Sequence, residues 1–236
     1  MKRFWTDVAV AAADAAQGYA ITLDARPVRT PARLPLVLPT RALADAVAAE
    51  WAAQDGEVDP RTMPMTGLSN AAIDRVMPDR ALFVNQIAAY AETDLLCYRA
   101  DAPDTLVARQ AAAWEPLLAW GRARYDVAFR VTTGIVHVAQ PPETLARLRA
   151  AVAAHDAHAL AALSPLTTIG GSLLAALAVA ERHIDADPAF DLTHLDELWQ
   201  AERWGEDALA TEARILRKAD FMAAARFLML SRPSPD

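Results

Sequence analysis

The apolar residues of this chain change their spacing between residues 40 and 66, and that change restricts the folds open to it. Up to residue 40 the period is two. In "GYAITLDARPVRTPARLPLVLPT", Tyr19, Ile21 and Leu23 fall on one face of a strand. "DARP" (Asp24–Pro27) reads as a turn, since Asp bonds its own backbone and Pro27 lacks an amide donor. "PVRTP" and "LPLVLPT" read as two further short strands, whose prolines favour sheet edges or strand ends. From residue 66 onward the spacing is three and four, the period of helices. The fold class that follows is α+β. A small N-terminal antiparallel β-rich domain with one helix occupies residues 1–65, and a larger, mostly α-helical domain occupies residues 66–236.

The helix of the first part begins at Thr40, an N-cap, and runs through "RALADAVAAEWAAQDG" until Gly56 stops it. In the second part, Pro78 separates helices in "TGLSNAAIDRV" and "DRALFVNQIAAYAETD". Pro116 bends the long helix "DTLVARQAAAWEPLLAWGRARY", or a new helix starts at Trp114. "FRVTTGIVHVA" alternates and reads as an extended segment, a candidate to rejoin the N-terminal sheet. Helices follow in "PETLARLRAAVAAHD" and, as two, in "AHALAALSPLTTIGGSLLAALAVAERHI". The last two are "PAFDLTHLDELWQAERWG" and "EDALATEARILRKADFMAAARFLMLS", and "SRPSPD" reads as a frayed tail.

Hydrophobic residues make up 54% of the 236, ample for a core. A net charge of −7 argues against a general nucleic-acid binder, which would be basic. A single cysteine, Cys97, leaves no intramolecular disulfide and no cysteine zinc site, and suits a reducing compartment. The most apolar run, "IGGSLLAALAVA", falls short of the roughly 18 residues of a membrane span and reads as a buried helix. The start, "MKRFWTDVAV", lacks the long apolar stretch of a secretory signal. A cytoplasmic, bacterial protein with no membrane insertion is expected.

Motifs of chemistry are sparse. "IGGS" could hold an anion on helix amides, yet it lacks the P-loop lysine and a preceding strand, so tight packing with Ser172 as a cap is the simpler reading. Cys97 lies among Leu95, Leu96 and Tyr98 and reads as a buried structural thiol. His155 and His158 are spaced for a metal on a helix, but no further ligands accompany them, and a solvated helix end is expected. "DELWQAERWGED" (Asp196–Asp207) sets Trp199 and Trp204 among five acidic residues. Its carboxylates could do acid–base work, or its aromatics beside charges could anchor a partner.

Several stretches together resemble one family. They are "RFWTDV", "LDARPVRTPA", "LPTRALADAVAAEWAAQ", "MPMTGLSNAAID", "YAETDLLCYRA", "QAAAWEPLLAW" and "DELWQAERWGED", in this order along nearly the whole chain. They are similar to the ATP synthase assembly chaperones of mitochondria and alphaproteobacteria that bind the alpha subunit of the catalytic sector. The family usually has Gly where this chain has Ala25, and Lys where it has Arg29. If Ala25 needs a positive φ, its turn is strained.

The resemblance implies a chaperone with no catalysis, no cofactor and no metal. Its partner would be the alpha subunit, and it would be a monomer when free. Glu206 is the preferred contact residue, with Asp207, Glu202 and Trp204 beside it. Glu206 and Asp207 would also sit at the start of the last helix, where negative charge is favourable. Trp199 and Trp204 would pack inward or anchor the fold. Trp51, Gln54, Asp94 and Arg99 are read as structural: Trp51 buried in packing, and Asp94 and Arg99 as an ion pair. The competing readings are a small hydrolase or lyase using a carboxylate pair in the helical domain, and a subunit of a stable complex.

Overall fold

A computed structural model describes residues 2–13 and 18–233. The chain divides into two compact units. Unit 1 comprises Met1–Arg80, Asp156–Ala162 and Ala223–Asp236; unit 2 comprises Ala81–His155 and Leu163–Met222. Unit 1 therefore takes in residues on both sides of the 65/66 boundary read from periodicity, including two late segments that spacing along the chain does not reveal.

In unit 1, β1 (Val8–Ala13) pairs antiparallel with β2 (Gly18–Leu23), and β3 (Arg26–Pro27) and β4 (Val37–Leu38) both pair antiparallel with β2. Ile21, Leu23 and Leu38 are buried, as period two requires. The β2–β3 turn places Asp24 at φ +45° and Ala25 at φ +65°. Ala25 thus does occupy the left-handed region, where a Cβ is disfavoured. Asp24 helps hold the turn: its Oδ1 accepts the Thr6 and Asp7 amides at 3.0 and 2.9 Å. Those amides hold its carboxyl below the usual carboxylate range.

Thr40 caps α1 (Arg41–Ala52), its Oγ1 accepting the Leu43 amide at 3.1 Å. The helix expected to reach Gly56 ends at Ala52. Gln54 in the following turn is buried and organises it, donating to Glu50 O and Thr62 Oγ1 and accepting the Asp59 amide at 2.8 Å. Glu50 accepts the Met65 and Thr66 amides at 2.7 and 2.8 Å, which seats its charge on the first turn of α2 (Pro64–Ala71). Trp51 is half-buried, less than its spacing predicts, and meets the buried Trp5 edge-on at 5.2 Å. A π-helical turn, Ala72–Val76, continues α2.

Beyond α3 (Arg80–Ala88), two 3-10 turns lead to β5 (Tyr98–Arg99). The helix α4 (Asp104–Tyr125) runs unbroken through Pro116. The segment read as rejoining the N-terminal sheet does not: only β6 (Thr132–Thr133) pairs, in parallel with β5. Gly134 at φ +78° turns the chain there and leaves Ile135 and Val136 exposed. The remaining helices are α5 (Pro142–Ala153), α6 (Ala157–Gly170), α7 (Leu173–Ala180), α8 (Ala186–Thr193), α9 (Leu195–Trp204) and α10 (Ala208–Leu230). The sequence read as one helix over "PAFDLTHLDELWQAERWG" is two, α8 and α9. Thr193 Oγ1 and His194 Nδ1 both lie 2.9 Å from Phe190 O, and such local side-chain bonds compete with helix continuation. The tail read as frayed is ordered at Ser231, which is buried and bonded to Phe227 O; residues 234–236 lie outside the described residues. No described helix is long and apolar enough to cross a membrane.

The core of unit 2 gathers Leu96, Cys97, Trp114, Leu118, Leu174 and Trp199. At its edge Asp94 is buried and accepts the Leu96 amide at 3.1 Å and the Leu174 amide at 3.0 Å. The expected ion pair to Arg99 gives way to this arrangement. Arg99 instead donates to Gln110 O at 2.7 Å, lies 3.6 Å from Glu115 and stacks over Trp114. Burial pushes the Asp94 carboxyl up, and its hydrogen bonds to Leu174, Ser172, Leu96 and Leu173 pull it back. The helix start at "IGGS" therefore does hold an acidic group, the side chain of Asp94.

Two substitutions test these anchors. Ala25→Gly relieves a left-handed Cβ and should stabilise the chain by about 0.5–1 kcal/mol, read as a raised melting temperature. Asp94→Asn places an NH2 group against one of two amides and should cost about 1–3 kcal/mol in a urea titration. An unchanged midpoint would remove Asp94 from its role.

Candidate partner-binding site

The acidic stretch folds as α9, a turn at Gly205 with φ +93°, and the start of α10. Within α9 the inner face carries Leu195 and Trp199 into the core. Trp204, one turn further on, does not pack inward. It is 72% exposed and touches Trp199 edge-on at 5.5 Å.

The carboxylates divide by partner. Asp196 accepts from Gln110 Nε2 at 2.7 Å. Glu197 meets Arg217 at 2.6 Å and Arg214 at 3.4 Å. Glu202 forms a two-pronged pair with Arg109 at 2.5 and 2.9 Å, which holds its carboxyl below the usual range. Asp207 is the cap of α10, its Oδ1 accepting the Ala210 amide at 2.9 Å. Glu206 lies one residue earlier. It pairs with Arg214 at 3.0 Å, and Thr211 Oγ1 approaches it at 3.3 Å. Glu206 and Asp207 thus both stand at the start of the last helix, while capping falls to Asp207 alone.

The structure brings Trp204 and Asp207 together around a shallow groove of about 210 Å3, lined also by Glu197, Gln200, Thr211 and Arg214. Glu202 points to α4 through Arg109. Trp51 and Gln54 belong to unit 1, and the buried Asp94 and half-buried Arg99 to unit 2, so none of the four lines the groove. Sequence reasoning missed the exposed apolar residues of α10, which lie outside the groove. Leu209, Ile215 and Leu216 are 77%, 62% and 61% exposed on the first half of α10. Their signal was present: Leu209 and Leu216 are seven apart and share a helical face with Glu212. Arg214 was also missed, and it is the cation that gathers Glu197 and Glu206. The expected solvated histidine at a helix end is wrong for His158, which is buried. Among the described residues no group of three or more metal-ligating side chains occurs.

Fold and site define a two-unit α+β protein whose candidate site is a surface of exposed apolar and acidic side chains. Residues 2–122 match the family model described as ATP12 chaperone protein. The chain is 26% identical over 224 residues to "Protein atp12, mitochondrial" of Schizosaccharomyces pombe, covering 88% of this chain and 75% of that protein. The crystal structure of Atp12 from Paracoccus denitrificans matches with a TM-score of 0.93 at 43% identity, covering 98% of each chain. A mutant of that Paracoccus protein matches with the same TM-score, 0.93, at 43% identity and 98% coverage of each chain. The chain belongs to the ATP12 chaperone family.

The neighbourhood of α9 also carries a titrating group. His194, between α8 and α9, is stacked on Phe190 with ring centroids 3.8 Å apart, and burial lowers its ionisation below the ordinary 6.5. Burial lowers His158 likewise. Below about 6.5 the unfolded chain takes up protons that the folded chain refuses. Stability from both groups is thus complete above that pH and is lost as the pH falls from it toward the lower folded values. The melting temperature should fall between pH 7 and 5, and less steeply in His194→Gln. An equal slope in parent and variant would show that His194 does not contribute.

Proposed function

We propose that this chain binds the unassembled alpha subunit of the ATP synthase catalytic sector. It covers the alpha-subunit face that later meets the beta subunit and prevents aggregation until then. An unpaired subunit of a ring exposes interface that would otherwise associate without order. The observation that carries the reading is the exposed Trp204 at the turn that holds Glu206 and Asp207, with Leu209, Ile215 and Leu216 exposed further along α10, in a chain of a chaperone family. Apolar side chains supply contact area, and the charged surround keeps the contact soluble and reversible. The protein acts without catalysis, as a monomer, in the bacterial cytoplasm. Against the enzyme reading stands the pairing of Glu197, Glu202 and Glu206 with arginines, which commits these three carboxylates of the acidic stretch to cations.

Copurification with the isolated alpha subunit, with the beta subunit as control, tests the assignment. Equal recovery of both, or of neither, would overturn it. Glu206 sharpens the test. Replacing it by Lys sets a cation beside Arg214 and the start of α10, a loss of about 0.3–1 kcal/mol, which a domain of this size tolerates. Both Glu206→Lys and Glu206→Gln should therefore melt near the parent. Protection of the alpha subunit should weaken in the order parent, Gln, Lys. Full protection by both folded variants would move the contact elsewhere.

A further inference from the structure

Unit 1 contains a pocket of about 460 Å3, well away in the chain from the α9–α10 turn. Its lining is Leu34, Pro35, Val37, Leu38 and Pro39 from β4 and the strand's approach, Gly18 from β2, Ile73 and Met77 from the end of the π-helical turn, and His158 from α6. The lining side chains are apolar except for the imidazole. His158 is 7% exposed, and its Nε2 is buried with no hydrogen-bond partner. The ring is stacked with Phe227, centroids 6.3 Å apart.

A buried nitrogen without a partner costs free energy that a ligand can recover by supplying one. We propose that this pocket binds a tyrosine side chain of the client polypeptide, with the phenol hydroxyl meeting His158 Nε2. The inference rests on the chaperone family, which makes the ligand a protein, and not on which client it serves. An aliphatic side chain would fill the walls and leave the nitrogen unpaired. A charged side chain would be buried among Leu34, Ile73 and Pro39 without a counterion. A serine hydroxyl brings the polar atom but no body to cover the walls. A phenol has an apolar ring and one polar tip, the same division as the pocket. Its hydroxyl both donates and accepts, so it suits the imidazole whichever ring nitrogen carries the proton. The nitrogen itself is closed to solvent, so the ring reaches it only when a wall member moves; Met77, unbranched and 49% exposed on the rim, is the one best able to shift.

The test uses the full chain and four probes. These are p-cresol and toluene, the side-chain analogues of Tyr and Phe, and the backbone-bearing N-acetyltyrosinamide and N-acetylphenylalaninamide. The imidazole 15N signals of His158 are followed during titration. We expect p-cresol and N-acetyltyrosinamide to shift Nε2 and to bind at least about fivefold more tightly than their phenyl counterparts, the factor for one hydrogen bond. In His158→Phe that preference should vanish while binding of toluene persists. The parent titration stands alone if this variant fails to fold. No binding, equal binding of phenol and phenyl probes, or an unshifted Nε2 overturns the proposal. Binding of p-cresol without N-acetyltyrosinamide also overturns it, since the pocket would then take a free phenol and not a side chain on a chain. None of these measurements involves the alpha subunit, so their failure leaves the reading of the α9–α10 surface untouched.

Discussion

Asp94 accepts from Leu96 on one oxygen and from Leu174 on the other, and so ties a 3-10 turn to the start of α7 across 80 residues of chain. Burying a carboxylate is costly unless amides replace its water. Here the amides are supplied by a helix N-terminus, where the backbone already presents unpaired donors and a positive dipole end. The two halves of the bargain need each other. Without Asp94, the first turn of α7 would bury orphan donors, since every residue from Leu173 to Ala180 is buried. Without α7, Asp94 would be a buried carboxyl lacking the Leu174 amide, beside Leu96 and Cys97. The same logic recurs in unit 1, where Glu50 takes the first amides of α2. In each unit an acidic side chain from one motif seats the helix of another, which explains why "EWAAQ" and "MPMT", or "TDLLCYR" and "IGGSLL", belong to one fold.

How much of this was legible in the sequence depends on how far each cause reaches. The Thr40 cap, the turn at Asp24 and Ala25, the strand face of Ile21 and Leu23 and the start of α10 are local, and their signals lie within a few residues. The partner of Asp94 is remote, so charge alone suggested the nearby Arg99, which turned to Gln110, Glu115 and Trp114 instead. "FRVTTGIVHVA" alternates like a strand, but alternation cannot say which strand will pair with it, and two residues pairing with β5 were enough to satisfy it. The break at His194 was hidden because Thr and His are tolerated inside helices, and only their shared carbonyl at Phe190 reveals the competition.

The acidic stretch shows the same limit at the site. Its composition could not separate the carboxylates, because Asp and Glu there look alike until their partners are placed. Glu202 is committed to Arg109 and Asp196 to Gln110, both on α4, and Asp207 to the helix cap. These three fix α9 and α10. Trp199 and Trp204 are likewise indistinguishable by type, yet one lies in the core and the other in water.

Glu206 differs from its neighbours in what it would leave behind if it changed partner. Its cation is Arg214, whose side chain is only 12% exposed and so needs a counterion. Arg214 is also within 3.4 Å of Glu197. If a basic group of a client drew Glu206 away, Arg214 would keep Glu197 and would not be stranded as an unpaired buried charge. The Glu206 carboxylate faces solvent, so exchanging one cation for another requires little desolvation. Asp207 holds the helix start throughout, so the exchange does not unravel α10. On the proposed reading, a contact built this way would form and break at little cost in free energy, as release of the client would require.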